Sequence, residues 1–213
     1  MVFDSAMDET STERLFFLSG DGGTGKTFLL NYLLFKLRSA SKKVFATAST
    51  GVAANKFYSG GMTFHSAFRL SRDNEPGEYP TIAVDTFFGR RIIECSVVFV
   101  DEVTMLNKCY SKMSIYYVVV ISGDWKQSLP VVEYSSPEKQ VAACFQSTDL
   151  YKQFRKVRLQ QNMRLNPLEV SHKNWLYKIG TDISGEKVAI PKEMFVNSRE
   201  ELIILFTIKA LIR

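Results

Sequence analysis

Residues 20–27 read Gly20-Asp21-Gly22-Gly23-Thr24-Gly25-Lys26-Thr27, a complete phosphate-binding loop. Gly20, Gly22, Gly23 and Gly25 let the backbone bend so that consecutive N–H groups, including that of Thr24, point inward at phosphate oxygens. A helix after the loop would turn its positive end to the same phosphates. Lys26 can reach the β and γ oxygens and the Thr27 hydroxyl can hold Mg²⁺, so the expected ligand is a nucleoside triphosphate such as ATP. The alternative is a glycine-rich turn without a ligand. Lys26-Thr27 and the apolar runs on either side, Leu15-Phe16-Phe17-Leu18 and Phe28-Leu29-Leu30, argue against it. The second chemical pair is Asp101-Glu102, directly after Val97-Val98-Phe99-Val100. A carboxylate at the tip of a buried strand can hold the magnesium shell, and its neighbour can orient or deprotonate an attacking water. An isolated Asp-Glu is more often a solvated loop, but beside a phosphate loop the pair points to hydrolysis.

Such groups need strands that end where they stand. Arg14 to Ser19, Lys43 to Ser49, Val97 to Val100 and Val118 to Ser122 are apolar, β-branched or aromatic on consecutive residues, as strands buried on both faces of a parallel sheet are. Each runs into a chemically interesting loop: the phosphate loop, Thr50-Gly51-Val52-Ala53-Ala54, Asp101-Glu102 and Gly123-Asp124-Trp125. Thr27 to Arg38 carries Leu30, Leu33, Leu34 and Leu37 at helical spacing and predicts a crossover helix. The fold class is therefore α/β, a P-loop NTPase sheet with helices on both faces and its functional loops at the carboxyl ends of the strands. From about Asp149 the pattern changes to short amphipathic segments, with Pro167 and Pro191 as breaks.

Composition sets limits and little more. The 213 residues suffice for one α/β core with appendages, and 46% hydrophobic with 23% charged residues describes an ordinary globular protein. A net charge of +5 is compatible with a polyanionic partner and equally with a mildly basic surface. Cys95, Cys109 and Cys144 are far apart, without paired metal-ligand spacing, and read as reduced thiols of an intracellular protein, with no zinc site suggested. The N-terminus lacks the apolar run of a signal peptide and the arginines of a transit peptide. The apolar stretch from Leu202 to Leu211 is too short to span a bilayer and is interrupted by Lys209, so no membrane partner is expected.

Six runs taken in order resemble the motifs of Pif-type DNA helicases, the superfamily 1 group that includes the helicase part of Helitron transposons. They are Arg14 to Thr27; Thr50 to Ala54; Gly61-Met62-Thr63-Phe64-His65-Ser66; Asp101-Glu102-Val103-Thr104-Met105; Gly123-Asp124-Trp125-Lys126-Gln127-Ser128-Leu129-Pro130-Val131; and Gln161-Asn162-Met163-Arg164-Leu165. The late Trp175-Leu176-Tyr177-Lys178-Ile179-Gly180 resembles the family's segment after the arginine motif. The resemblance implies a RecA-like domain over residues 14–165, a short N-terminal tail over 1–13 and a helical segment over 166–213 leading towards a second RecA-like domain that is missing here. It implies that Gln127 hydrogen-bonds the γ-phosphate or the attacking water, and that Arg164 is an arginine finger, a contact worth roughly a thousandfold or more in rate. It implies that Thr50, Gly51, Phe64 and His65 line the path of single-stranded DNA; Phe64 and Phe68 could equally be core residues. His172, in no motif, reads as a surface residue.

The implied activity is 5′-to-3′ unwinding of DNA driven by ATP and Mg²⁺, acting on single strands or junctions in telomere maintenance, recombination and repair, in the nucleus or mitochondria. Its rival is a catalytically inactive ATP- or DNA-binding remnant of a Helitron-type helicase. Three departures bear on that choice. The family's adenine-recognising glutamine lies in a segment of which only a tail around Val2-Phe3-Asp4 remains. The stretch from Met105 to Tyr117 is barely long enough for a parallel crossover. One RecA-like domain cannot be expected to translocate alone, because unwinding depends on two domains closing around ATP.

Overall fold

The computed structural model describes residues 1–70, 82, 83, 85–108, 117–127, 130, 132, 134–164 and 170–181. The chain divides into two compact units, Met1–Leu168 and Glu169–Arg213. In the second, the described element is a helix, Val170–Thr181, that contains the run from Trp175 to Gly180. Cys109, most of the short 105–117 stretch, Ser128, Leu129, Val131, Leu165, Pro167, Pro191 and the apolar run near residue 205 lie outside the described residues, as does the side chain of His172.

The first unit is built on a six-stranded sheet of order β3-β2-β4-β5-β1-β6. The strands are β1 Leu15–Gly20, β2 Val44–Ala48, β3 Met62–Thr63, β4 Val97–Asp101, β5 Val118–Gly123 and β6 Arg155–Leu159, all paired in parallel. Every residue of β2, β4 and β5 is buried, which explains their unbroken apolar runs: successive side chains enter opposite faces, and both faces are covered. On one face Phe16, Leu18, Ala46, Phe99, Val118 and Val120 pack under Leu30, Leu34 and Leu37 of the helix α2, Lys26–Ser39. The alternate strand residues Phe17, Phe45, Val98, Val119 and Ile121 pack on the other face against Phe64, Phe145, Tyr151 and Phe154. Burial of each Val, Leu, Ile or Phe side chain among these stabilises the fold by about 1.5–3 kcal/mol. The strand ends that carry the chemistry are thereby fixed on a stiff support.

The remaining helices are α1 Val2–Met7, α3 Gly51–Ala54, α4 Phe64–Phe68, α5 Phe87–Ile93, α6 Pro137–Ala143 and α7 Asp149–Lys152, with α8 in the second unit. The 1–13 segment read as a tail contains α1, whose Ser5 and Ala6 are buried and whose Val2 and Phe3 pack on the α2 face of the core. The four strands read from the sequence hold to within a residue or two at each end. Two others were not foreseen: β3 is only two residues long, and β6 is an edge strand whose Arg155, Lys156 and Arg158 are exposed. Charge along an edge obscures the apolar signal and also blocks pairing with another chain. Despite the short 105–117 stretch, β4 and β5 are neighbours in register, Val97 opposite Val118 and Val100 opposite Ile121. No helix among the described residues is long and apolar enough to cross a membrane.

Candidate active site

The phosphate loop leaves β1 at Gly20 and enters α2 through Gly25, whose φ of 89° is left-handed, a conformation that glycine adopts without the clash a Cβ would bring. The helices α3, α4, α5 and α7 are capped by the hydroxyls of Thr50, Thr63, Thr86 and Thr148, whereas α2 has no side-chain cap. Its first N–H groups are therefore available to an anion, with the helix dipole behind them. Lys26 is buried, and its Nζ donates to the carbonyls of Gly20 at 2.7 Å and Asp21 at 3.3 Å. These bonds hold the ammonium inside the curl of the loop. Thr24 closes the curl, its hydroxyl donating to the Asp21 carbonyl at 2.8 Å.

Beyond β1, α2 passes back over β5 and β4 towards β2, which brings Thr27 to the end of β4. The Thr27 hydroxyl donates to Asp101 Oδ2 at 3.0 Å. Asp101 is 1% exposed, and its Oδ1 also accepts from the Ser122 hydroxyl and, at 2.9 Å, from the Glu102 N–H. A carboxylate offers about four lone-pair sites, so three donors leave it one. That set of hard oxygens, few in number and with one carboxylate, fits a Mg²⁺ ion that keeps most of its water.

Glu102 follows in the left-handed region, φ 55° and ψ 42°. For a non-glycine residue this conformation costs on the order of 1–3 kcal/mol, and such residues cluster where chemistry is done. Burial, and then the charge of Asp101, push the Glu102 carboxyl above the usual carboxylate range; Lys26 and Lys56 pull the other way. Gln127 lies against the loop: a Cβ placed on Gly22 would come within 3.4 Å of its Nε2. Its orientation is set by the buried Asp124, which accepts from Gln127 Nε2 at 2.8 Å and from the Lys126 N–H at 3.1 Å. Lys126 in turn pairs with Asp21 of the phosphate loop at 3.0 Å.

The arginine motif is strapped directly onto the loop. Asn162 Nδ2 donates to the Gly22 carbonyl at 3.0 Å, Met163 N–H to the Gly23 carbonyl at 2.8 Å, and Arg164 N–H to Asn162 Oδ1 at 2.9 Å. A Cβ on Gly23, whose φ is 82°, would lie 2.9 Å from Asn162 Oδ1 and 3.0 Å from the Arg164 Cβ. The missing side chain is what lets Arg164 sit this close to the loop.

Two depressions adjoin these groups. One, a groove of about 690 Å³, is lined by Ser49, Thr50, Gly51, Thr63, His65, Ser66, Arg69 and Leu70. The other, a cleft of about 160 Å³, is lined by Thr50, Val52, Ala53, Lys56, Glu102, Thr104, Met105 and Gln127. Thr50 belongs to both. Its hydroxyl oxygen accepts from the Ala53 N–H at 3.2 Å to start α3, so the same side chain also shapes the helix. Of the four residues expected along a DNA path, Thr50, Gly51 and His65 share the groove. Phe64 does not: it is 3% exposed and packs on Phe68, ring centroids 4.7 Å apart, because α4 turns its first residue into the core. The open choice between groove and core falls to core for this ring.

The sequence reading assigned no role to Asp124, Ser122, Asn162, Lys56 or Thr104. Asp124 and Asn162 stood inside motifs and could have been singled out as polar residues at strand and loop ends. Nothing local marked Lys56 or Ser122. Thr104, buried at 1% exposure, has a hydroxyl with no hydrogen-bond partner among the described residues. An unmet buried hydroxyl of this kind costs about 1–3 kcal/mol.

Known proteins share both the fold and the sequence. A Bacteroides Pif1 bound to single-stranded DNA superposes with a TM-score of 0.64 at 23% identity, over 79% of this chain and 43% of that one. A Bacteroides Pif1 in complex with ADP-AlF3 and single-stranded DNA gives 0.65 at 19% identity, over 97% and 56%. At these identities the likeness is one of fold. Among curated proteins, the ATP-dependent DNA helicase PIF7 of Trypanosoma brucei brucei is 30% identical over 165 residues, 68% of this chain and 16% of that protein. The human ATP-dependent DNA helicase PIF1 is 29% identical over 150 residues, 62% of this chain and 22% of its own length. The chain thus matches about a fifth of such relatives and about half of the solved chains. The family model described as PIF1-like helicase covers residues 1–181, and with it the phosphate loop, the Asp101-Glu102 strand end and the Arg164 strap: the chain belongs to the PIF1-like helicase family.

Proposed function

We propose that this chain is the first RecA-like domain of a Pif-type DNA helicase and couples ATP hydrolysis to its hold on single-stranded DNA. The observation that carries the proposal is the position of Thr50, on the wall of both the groove and the cleft that holds Glu102 and Gln127. A strand lying in the groove touches the same residue that borders the hydrolytic groups.

In this reading Lys26 and the uncapped start of α2 take the β- and γ-phosphates. Thr27 and Asp101 would hold Mg²⁺, which neutralises charge on those phosphates. Glu102 removes a proton from the attacking water, a task suited to a carboxylate raised towards neutrality. Gln127, held by Asp124, hydrogen-bonds that water or the γ-phosphate, and the Arg164 guanidinium faces the charge that develops there. On the groove side, Thr50, Gly51 and His65 contact the strand, with Arg69 supplying positive charge for its phosphates. The relatives support both ligands: one was solved with ADP-AlF3 and single-stranded DNA, and another illustrates unwinding of forked DNA by two coordinating Pif1 helicases. The 5′-to-3′ direction, service in telomere maintenance, recombination and repair, and a nuclear or mitochondrial setting complete the proposal.

The test is steady-state ATP hydrolysis by the purified chain, with and without single-stranded DNA, against Lys26→Ala as the blank. DNA-stimulated turnover is the expected result. Turnover no higher than the blank, with nucleotide still bound, would instead identify an inactive remnant.

A further inference from the structure

Among the residues that line the cleft, which include Glu102 and Gln127, Thr104 is the one whose hydroxyl is buried without a hydrogen-bond partner among the described residues; the residue is 1% exposed. Its place is set by a close approach: a Cβ on Gly123 would meet the Thr104 γ-methyl at 2.9 Å and the Thr104 backbone nitrogen at 3.5 Å. Glycine at the end of β5 thus gives the methyl a seat, and a seated methyl fixes the side-chain torsion and with it the direction of the oxygen. The cleft has polar groups to offer. Gln127 is exposed, and Asp124 engages its Nε2, which leaves the side-chain carbonyl to accept a further bond.

We infer that Thr104 is a positioning residue for hydrolysis, whose hydroxyl donates to the Gln127 side-chain carbonyl when nucleotide draws Gln127 inward. The unmet bond disfavours the free arrangement, and its formation favours the bound one. Thr104 therefore adds to nucleotide affinity without touching nucleotide, and transmits the change along the wall it shares with Thr50. This inference rests on the proposed nucleotide site.

Thr104→Val keeps the shape and removes the hydroxyl; Thr104→Ser keeps the hydroxyl. Without nucleotide, the unfolding midpoint of Thr104→Val rises by about 2–4 °C, because a buried orphan is gone. Affinity for a non-hydrolysable ATP analogue falls about 5- to 30-fold in Thr104→Val, and Thr104→Ser restores it to within about threefold. In Gln127→Ala the same Thr104→Val change leaves affinity unaltered, as a shared bond requires. A lowered midpoint or failure to fold in Thr104→Val, or wild-type affinity in that variant, overturns the inference while the nucleotide site stands. Absence of analogue binding by the wild-type chain overturns both.

Discussion

Asp101→Asn separates a metal ligand from a structural strut, because the structure allows the amide to keep every contact. Its oxygen in the Oδ1 position still accepts from the Glu102 N–H and the Ser122 hydroxyl, and its nitrogen can donate to the Thr27 hydroxyl, which now serves as acceptor. Three bonds to a charged acceptor become neutral ones at a loss of about 1 kcal/mol each. Against that total of roughly 3 kcal/mol stands the removal of a buried charge, whose desolvation costs several kcal/mol. The net change in stability is then within about 2 kcal/mol of zero, a shift of no more than about 4–8 °C for a unit of this size. The metal is affected far more. Unit charges about 4 Å apart interact by roughly 4 kcal/mol at an intermediate dielectric. If even half of that survives competing hydration, the Mg²⁺-dependent part of nucleotide affinity falls about 30-fold or more. Calorimetric titration with an ATP analogue, in Mg²⁺ and in EDTA, together with thermal unfolding, measures both quantities. An equal gain from Mg²⁺ in Asp101→Asn and wild type would refute the assignment of Asp101 to the metal. A collapse in stability would refute the bond-by-bond argument.

Glu102→Gln should bind ATP and lose turnover; equal turnover in the two proteins removes Glu102 from the chemistry. Since burial raises the Glu102 carboxyl, the folded chain binds that proton more tightly than the unfolded chain does, and ionisation costs stability as pH rises through the folded value. The unfolding midpoint of Glu102→Gln should therefore match wild type at low pH and equal or exceed it at neutral pH, as a pair of melting series would show. For the same reason the acid limb of turnover should lie above the usual carboxylate range, and Lys56→Ala, which removes a nearby positive charge, should move it further up in a pH–rate profile. Gly23→Ala places a Cβ against Asn162 and Arg164 at a φ of 82° and should loosen the arginine strap, lowering turnover at least tenfold, about 1.4 kcal/mol in the barrier; wild-type turnover in that variant would show that the strap does not act in catalysis. Phe99→Ala, at a ring with no exposure on the α2 face of the sheet, should cost about 3–5 kcal/mol in denaturant unfolding.

What the sequence disclosed follows from which interactions are local. A phosphate loop is eight consecutive residues, a buried parallel strand is a run of apolar ones, and α2 repeats its leucines at the period of the helix; all three can be read without knowing what lies opposite. The strand β6 could not, because its pairing with β1 joins Phe16 to Arg155 across most of the unit, and its own residues alternate charge with partial burial. The same distinction divides the site. Lys26 and Thr27 are named by their neighbours in sequence, but the bond that makes Asp101 a partner of Thr27 spans 74 positions, and the one that seats Asn162 on Gly22 spans 140. Motif order suggested that these residues belong together without saying how. Phe64 shows the limit most directly: its neighbours Thr63 and His65 line the groove, yet one residue of helical rotation turns the ring into the core. Thr104 is the opposite case. Its motif was recognised, but only the packing of its methyl on Gly123, and a hydroxyl without a hydrogen-bond partner among the described residues, set Thr104 apart from its neighbours after the Asp101-Glu102 pair. In a sheet whose strand ends are held this stiffly, a buried group left unbonded beside one of those ends is where a change in ligand can most easily be felt.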